Sequence, residues 1–221
     1  MTFYVGLDLG QSNDYTALAV IEKVGIGKDP DLHLRHLERY PLRTPYPEMV
    51  SRVAALLKNP QLSTTRRRSS SWYDFGGSAG DIAGPLREEQ AAPELLVDAT
   101  GVGRPVVDLF RERGLRHKAI TITGGQAVTS TGGGYGVPKR DLIGALEVPF
   151  HSRRLKVAAG LHLWETLRQE LQSFRRKVSL TTGNDTYEHW RESDHDDLVL
   201  AAALACWGAE RSPRGAEVFS F

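Results

Sequence analysis

The sequence is poor in the features that mark disulfide-stabilised, zinc-binding or membrane proteins. Its single cysteine, Cys206, excludes a disulfide framework and a zinc site built of cysteines. The longest apolar run, residues 198–207, has ten residues, whereas a helix needs about 20 to cross a bilayer. No basic segment precedes the apolar N-terminal stretch, so we expect no signal peptide and a cytoplasmic protein.

Net charge is also nearly absent, but the charges are segregated along the chain. The formal net charge is +1, with 25% charged and 40% hydrophobic residues, which is typical of a soluble globular protein. Residues 99–177 carry 14 basic and 6 acidic side chains, whereas both flanking segments are net negative. This pattern suits a protein that attracts polyanions and concentrates carboxylates elsewhere, although basic solvated helix faces also produce it.

Hydrophobic periodicity predicts one α/β domain over residues 1–221. Strands are predicted at 3–9, 16–22, 32–40, 94–98 and 119–123, and helices at 45–57, 104–113, 138–148, 161–174 and 194–210. Three antiparallel leading strands followed by parallel ones give a mixed five-stranded sheet flanked by helices. Alanines on the last helix predict close packing on that sheet.

Three further segments lack this periodicity or have a different one. Residues 58–93 are rich in Ser, Arg and Gly and are predicted to be an irregular, mobile insertion. Residues 124–136 hold six glycines and are predicted to be a loop. Residues 178–189 have the pattern of a hairpin around a Gly-Asn turn.

Acidic residues occupy corresponding positions at the ends of predicted elements. Asp8 ends the first strand, Asp98 ends the fourth, and Asp194, Asp196 and Asp197 begin the last helix. If the two strands are neighbours, these carboxylates converge, and they then need a compensating cation. Hard oxygen ligands favour Mg²⁺ or Mn²⁺. Two such ions about 4 Å apart would activate water and stabilise the leaving oxygen of a phosphodiester, with Asp8 bridging them.

Each acidic position alone has an ordinary structural explanation. Asp8 suits a strand-end turn, and Asp98 suits the cap of the following helix. The three aspartates before the last helix suit its N-terminus and its dipole. Their common placement at element ends is what favours a metal site over these explanations.

Three motifs in this order resemble the nuclease domain of phage terminase large subunits, which has a ribonuclease H-like fold. They are GLDLGQSNDYTALAVIE, LLVDATGVG and HDDLVLAAALA. The segments VPKRDLIGAL, LRQELQSFRRK and TYEHWRESDHDD also resemble that domain, so the resemblance covers nearly the whole chain apart from residues 58–93. It implies metal-dependent hydrolysis of concatemeric double-stranded DNA during genome packaging.

The resemblance also implies site residues, cofactors and partners. Asp8, Asp98 and Asp197 would be the catalytic metal ligands for two Mg²⁺ or Mn²⁺ ions, with Asp196 beside them and Asp194 a weaker candidate. The implied partners are double-stranded DNA, a packaging ATPase domain, a small terminase and a portal, in the host cytoplasm. The sequence has no GxxxxGK[ST] phosphate loop, so we expect an excised or separately encoded nuclease that does not translocate DNA by itself.

Clustered basic residues predict a surface for phosphates, with salt-dependent binding that is largely independent of base sequence. Lys139 is the preferred phosphate contact near the metals, because it lies between a glycine-rich loop and a helix start. The other candidates are Arg66, Arg67, Arg68, Arg140, Arg153, Arg154, Lys156, Arg175, Arg176 and Lys177. Residues 175–177 equally suit a helix C-terminus, and His195 is a candidate for tuning or binding a metal.

Other functions share part of this pattern. A Holliday-junction resolvase-like nuclease would have the same acids but would prefer branched DNA. An actin- or sugar-kinase-like ATP-binding protein shares the GxDxG motif. That class needs two domains of this kind, however, and the acidic start of the last helix has no function in it. A non-catalytic DNA-binding relic of the fold would keep the sheet without cleaving DNA.

Overall fold

The chain folds around one mixed sheet with helices on both faces. A computed structural model describes residues 1–10, 14–25, 27, 29–69, 86–101, 103–180 and 196–211. The strands are β1 (Thr2–Asp8), β2 (Ala17–Val24), β3 (Asp31–Arg39), β4 (Thr64–Ser69), β5 (Leu86–Ala91), β6 (Glu94–Asp98), β7 (Lys118–Thr123), β8 (Thr129–Thr131), β9 (Gly134–Pro138) and β10 (Leu155–Val157). The helices are α1 (Tyr46–Leu57), α2 (Gly103–Glu112), α3 (Lys139–His151), α4 (Trp164–Leu180) and α5 (Asp197–Arg211), with a short 3-10 helix at Pro60–Leu62.

The central sheet has eight strands in the order β10-β3-β2-β1-β6-β7-β9-β8. The antiparallel leading strands β1, β2 and β3 and the parallel additions β6 and β7 are arranged as predicted. The mixed α/β architecture is therefore confirmed, and β8, β9 and β10 widen the predicted five-stranded sheet at its two edges. None of the described helices is long and apolar enough to span a bilayer.

The glycine-rich segment was wrongly predicted to be a loop throughout, since β8 and β9 form an antiparallel pair there. A Cβ on Gly134 would lie 2.1 Å from the carbonyl oxygen of Ala119 on β7. Glycine is therefore required at this position because β9 lies so close to β7. From composition alone, the same glycine is typical of a loop.

The insertion also contains regular structure at both ends. Strands β4 and β5 pair in an antiparallel two-stranded sheet, with Arg66 opposite Glu89 and Arg67 opposite Glu88. The prediction of an irregular segment over 58–93 is therefore wrong where these strands lie, and residues 70–85 are outside the described part. Residues 178–180 belong to α4, not to a hairpin, and the rest of the predicted hairpin is not among the described residues.

Alternation along β1 divides the hydrophobic core into two layers. Phe3, Val5 and Leu7 pack against α1 and α2, with Met49, Val53 and Phe110 among their partners. Tyr4 points to the other face, which α3, α4 and α5 cover. Asp8 has the same parity as Tyr4 and Gly6, so its side chain lies on the face that α5 covers.

Helix α5 lies unusually close to the sheet. A Cβ on Gly6 would lie 2.1 Å from the carbonyl oxygen of Ala201 and 2.7 Å from the backbone nitrogen of Ala205. A Cβ on Gly208 would meet Leu96 at 2.7 Å. Residues Asp197–Val199 and Ala201–Ala209 are buried. Small residues on both elements let the backbone of the helix contact the backbone of β1. This contact determines where the first turn of α5 lies relative to β1.

Candidate active site

Two aspartates lie side by side where neighbouring parallel strands end. β1 and β6 pair in parallel with Leu7 opposite Val97, so the next residues, Asp8 and Asp98, emerge together at one edge of the sheet. Each aspartate is only 6% exposed. The strand-end juxtaposition expected for this pair is therefore present in the structure.

The third aspartate comes from the start of α5. Asp197 is the first residue of the helix and is 5% exposed. The backbone carbonyl of Asp196, which precedes it, accepts a hydrogen bond of 3.0 Å from the amide of Leu200. Because Gly6 brings α5 against β1, the first turn of the helix lies beside Asp8. Asp194 and His195 are outside the described residues.

The electrostatics of Asp8 show how closely these acids interact. Burial raises the pKa of Asp8 well above its usual range, and the nearby carboxylates of Asp98, Asp197 and Asp196 raise it further. A hydrogen bond with Asp98 acts in the same direction. Two carboxyl groups that are hydrogen-bonded to each other share a proton when no cation balances their charge.

A threonine fixes the carboxylate of Asp98. The backbone amide of Thr100 donates to Oδ1 of Asp98 at 2.8 Å, and the Thr100 hydroxyl donates to the same oxygen. That hydroxyl also accepts a hydrogen bond of 2.9 Å from the amide of Ile122 on β7. The turn after β6 therefore holds Asp98 in one orientation and ties it to the neighbouring strand.

Two further charged residues belong to the site, and sequence reasoning missed both. Arg39 ends β3, and its Nη2 lies 3.4 Å from Oδ2 of Asp197 and forms an ion pair with Glu170. Glu170 lies on α4 and is 9% exposed. Burial raises the pKa of Glu170 to about 7, with Asp197 raising it and Arg39 lowering it.

The sequence held only a weak signal for these two. Glu170 follows Leu167 by three residues and precedes Leu171, so it borders the apolar face of α4. An acid there suggests a buried partner but does not name it. Arg39 lies at the same edge as Asp8 because β3 and β1 both run antiparallel to the intervening β2, a relation that depends on the sheet order.

The site has the donor chemistry of a hard divalent cation but is not a preformed ligand shell. Among the described residues, no group of three or more His, Cys, Asp or Glu side chains is arranged to hold a metal ion. Instead Asp8 bonds to Asp98, and Asp197 lies beside Arg39. Buried carboxylate oxygens that raise one another's pKa are nevertheless the donors that Mg²⁺ or Mn²⁺ would draw together.

Lys139 lies at the same edge of the sheet as the acids. Strands β1, β6, β7 and β9 are parallel, so their carboxyl ends lie at one edge of the sheet. Lys139 directly follows β9 as the first residue of α3. The next residue, Arg140, is exposed and donates to the carbonyl of Gln126 at 2.5 Å.

Arg153 and Arg154, two of the predicted DNA-contacting residues, lie at the opposite edge of the sheet from Lys139. The carbonyl of Arg154 accepts from the amide of Leu32 at the start of β3, and the nine residues of β3 span roughly 27 Å to its other end. The guanidinium of Arg154 also binds the carbonyl of Pro30 at 3.0 Å and Glu210 at 2.9 Å. Arg154 therefore serves contacts within the protein.

The remaining predicted basic residues are described only in part. Arg66, Arg67 and Arg68 lie on β4, and Arg175, Arg176 and Lys177 lie in α4. Lys156 lies on β10, and its Nζ donates to the carbonyl of Arg153 at 2.6 Å.

Comparison with solved structures identifies this fold. The large terminase nuclease from thermophilic phage G20c matches with a TM-score of 0.52 and 15% identity, over 92% of this chain and 80% of that one. A structure of the same nuclease with bound magnesium matches with a TM-score of 0.50 and 19% identity, over 93% and 80%. No protein-family model and no curated protein matches the sequence. At this identity the likeness shows that the chain has the fold of a terminase nuclease.

Proposed function

We propose that this protein is a metal-dependent endonuclease that hydrolyses phosphodiester bonds of double-stranded DNA. The observation that carries the proposal is the convergence of three buried aspartates, Asp8, Asp98 and Asp197, from two strand ends and one helix start. The fold supports the proposal, because a nuclease of known structure shares it.

In this proposal Asp8, Asp98 and Asp197 hold two Mg²⁺ or Mn²⁺ ions, with Asp196 at the edge of the site. The bound ions would supply an activated water and stabilise the leaving oxygen. A magnesium-bound structure of the phage G20c nuclease supports this choice of ion. Asp98 and Asp197 both raise the pKa of Asp8, which supports assigning the three carboxylates to one metal site.

The protein's own residues prepare the site for this chemistry. Thr100 holds Asp98 through its amide and its hydroxyl. The backbone contact between Gly6 and Ala201 holds the start of α5 against β1. Neither feature requires a bound ion, so the protein fixes two of its three carboxylates before metal and DNA arrive, which reduces the ordering cost of binding.

Lys139 and Arg140 form the part of the proposed DNA surface that lies at the same edge of the sheet as the aspartates. A lysine at the start of α3 adds a positive charge to the amide groups of that helix end, a combination that attracts phosphate. Contacts of this kind position the backbone without reading base sequence. We therefore expect cleavage with little dependence on sequence.

The proposed biological role is the cutting of concatemeric phage DNA during genome packaging. It rests on the shared fold with a large terminase nuclease. In that role the nuclease would act in the host cytoplasm with a packaging ATPase domain, a small terminase and a portal.

The test is cleavage of supercoiled plasmid by purified protein with Mg²⁺, Mn²⁺ or EDTA. Asp8→Ala and Asp197→Ala should each lower cleavage by at least about 100-fold, because each removes a ligand on which the reaction depends. Asp108→Ala is the matched control, since Asp108 is exposed and pairs only with Arg111 among the described residues. It should cleave like the wild type.

The outcomes separate the alternative functions. Metal-dependent cleavage of plasmid and linear duplex that is lost in both site variants supports the proposal. Strong preference for a four-way junction would instead indicate a resolvase. Full activity in Asp8→Ala would refute the assigned site. Salt-dependent DNA binding by folded protein without cleavage under either metal would favour the DNA-binding relic.

A further inference from the structure

Glu170 is a buried acid that lies outside the three proposed metal ligands. It comes from α4, whereas the proposed ligands come from β1, β6 and α5. Burying a carboxylate is costly unless hydrogen bonds and a countercharge compensate it. Its contacts therefore indicate what the protein gains from placing it there.

Both oxygens of Glu170 are used, and they serve different elements. Oε2 accepts hydrogen bonds from the backbone amides of Leu198 at 3.1 Å and Val199 at 3.3 Å. These amides belong to the first turn of α5, where no carbonyl within the helix accepts from them. Oε1 pairs with Nη2 of Arg39 at the end of β3.

Arg39 completes a path from Glu170 to Asp197. Its Nη2 contacts both carboxylates, at Oε1 of Glu170 and Oδ2 of Asp197. The guanidinium also lies over the ring of Tyr15, 4.8 Å from its centroid, and its side chain is 17% exposed. Glu170 and the Tyr15 ring thus fix a cation whose other neighbour is a proposed metal ligand.

We infer that Glu170 is a positioning residue, which together with Arg39 holds the first turn of α5 so that the carboxylate of Asp197 is set for metal binding. The inference rests on the proposed function. It assigns Glu170 no contact with metal or DNA, because its oxygens bind backbone amides and Arg39.

A helix cap alone would not explain this arrangement. The usual cap is a Ser, Thr, Asn or Asp beside the helix start, which satisfies the same amides without burying a second charge. Here the acceptor comes from another helix, 28 residues before Leu198, and it brings Arg39 with it. The charged pair adds control over the direction of Asp197, which a neutral local cap does not give.

The same contacts predict a specific consequence of removing the charge of Glu170. In the wild type the guanidinium of Arg39 interacts with the carboxylates of both Glu170 and Asp197. If Glu170 becomes neutral, Arg39 interacts more strongly with Asp197 and competes with a cation for that carboxylate. Metal affinity should therefore fall, and removing Arg39 as well should restore part of it.

The experiment measures Mn²⁺ binding by isothermal titration calorimetry, with plasmid cleavage in parallel. Residues that orient metal ligands typically change metal affinity by about 10- to 100-fold, so we expect Glu170→Gln to bind Mn²⁺ at least about 10-fold more weakly. Glu165→Gln is the matched control, since it makes the same change on an exposed position of α4 paired with Arg168. Its Mn²⁺ affinity should stay within about twofold of the wild type.

Two further readouts separate positioning from a general loss of stability. The double variant Glu170→Gln with Arg39→Gln should bind Mn²⁺ more tightly than Glu170→Gln alone, which simple destabilisation does not produce. Amide hydrogen exchange at Leu198 and Val199 should quicken in metal-free Glu170→Gln. If Glu170→Gln does not fold, Arg39→Lys replaces it, and Mn²⁺ affinity is again expected to fall because lysine lacks the planar guanidinium that lies over the Tyr15 ring.

Each outcome decides a different question. If the wild type binds Mn²⁺ and Glu170→Gln binds it with unchanged affinity, the positioning role is overturned and the proposed function stays intact. A double variant no tighter than Glu170→Gln also overturns it. A folded wild type that neither binds Mn²⁺ nor cleaves DNA overturns the proposed function, and the inference with it.

Discussion

A close backbone approach between β1 and α5 yields a sharp prediction about how the site is built. In Gly6→Ala the new Cβ would lie 2.1 Å from the carbonyl oxygen of Ala201 and 2.7 Å from the nitrogen of Ala205. Both obstacles are backbone atoms, so no side-chain rotation relieves them. The helix has to move away from the strand, and Asp197 at its first turn moves with it.

The cost can be estimated from comparable changes. Inserting a methyl group into a packed core costs about 1–3 kcal/mol when side chains give way. Because backbone has to move here, we expect at least about 3 kcal/mol of lost unfolding free energy. About 1 kcal/mol lowers the Tm of a chain of this size by roughly 2–4 °C, so the Tm should fall by roughly 6–12 °C.

Gly144→Ala provides the matched control on α3. Nothing lies within 4 Å of a Cβ built on Gly144, and alanine is favoured over glycine inside a helix by about 0.5–1 kcal/mol. Urea unfolding followed by far-UV circular dichroism should show Gly6→Ala destabilised and Gly144→Ala slightly stabilised. Mn²⁺ affinity, measured where both variants are folded, should fall only in Gly6→Ala. A Gly6→Ala variant that loses less than about 1 kcal/mol, or binds Mn²⁺ normally, would refute this account of how α5 is placed.

Two further predictions concern the charge of the site and its DNA surface. Because the pKa of Asp8 is raised in the folded state, the native protein holds a proton that the unfolded chain releases, so metal-free stability should decrease as pH rises above the usual aspartate pKa. Asp8→Asn should reduce that decrease and leave the part that the raised pKa of Glu170 contributes, as urea unfolding in EDTA between pH 4 and 8 would show; an unchanged slope would contradict the electrostatic argument. Lys139→Gln should lower the slope of log DNA affinity against log salt by about 0.9, the value of one phosphate contact, whereas Arg153→Gln, at the opposite edge of the sheet, should leave it unchanged. Equal slopes in these two variants and the wild type would place the DNA surface elsewhere.

The paired acids were predictable because strand alternation is a local property. The alternation of residues 3–9 places Asp8 at a strand end, and the short apolar run before Asp98 does the same. Parallel pairing then brings two carboxyl ends to one edge of the sheet. The alanines of α5 likewise indicate a helix that packs closely on its neighbour.

The Arg39–Glu170 pair was not predictable, since it joins residues 131 positions apart. Its existence depends on β3 lying two strands from β1 and on α4 packing beside the start of α5. Neither relation leaves a periodic signal, because each is set by how elements pack, not by how one element is patterned.

Strands β4, β5 and β9 escaped prediction for a compositional reason. β4 reads TTRRRS and β5 reads LREEQA, so neither shows the apolar alternation by which a half-buried strand is recognised. In β9, glycine at position 134 permits close approach to Ala119, yet glycine is read from sequence as a turn residue. In both cases the strands consist of residues that a sequence pattern does not assign to a strand.

The energetics of the acidic site indicate why its support comes from so many elements. Three buried carboxylates repel one another, and without a cation that repulsion tends to separate β1, β6 and α5. The protein opposes it with a hydrogen bond between Asp8 and Asp98, an Arg39 contact on Asp197 and the backbone contact at Gly6. These are distinct restraints, and only the first two balance charge. A divalent cation would replace both of them at once, so metal binding and folding stability should be coupled: the wild type should gain thermal stability from Mn²⁺, and Asp8→Asn should not.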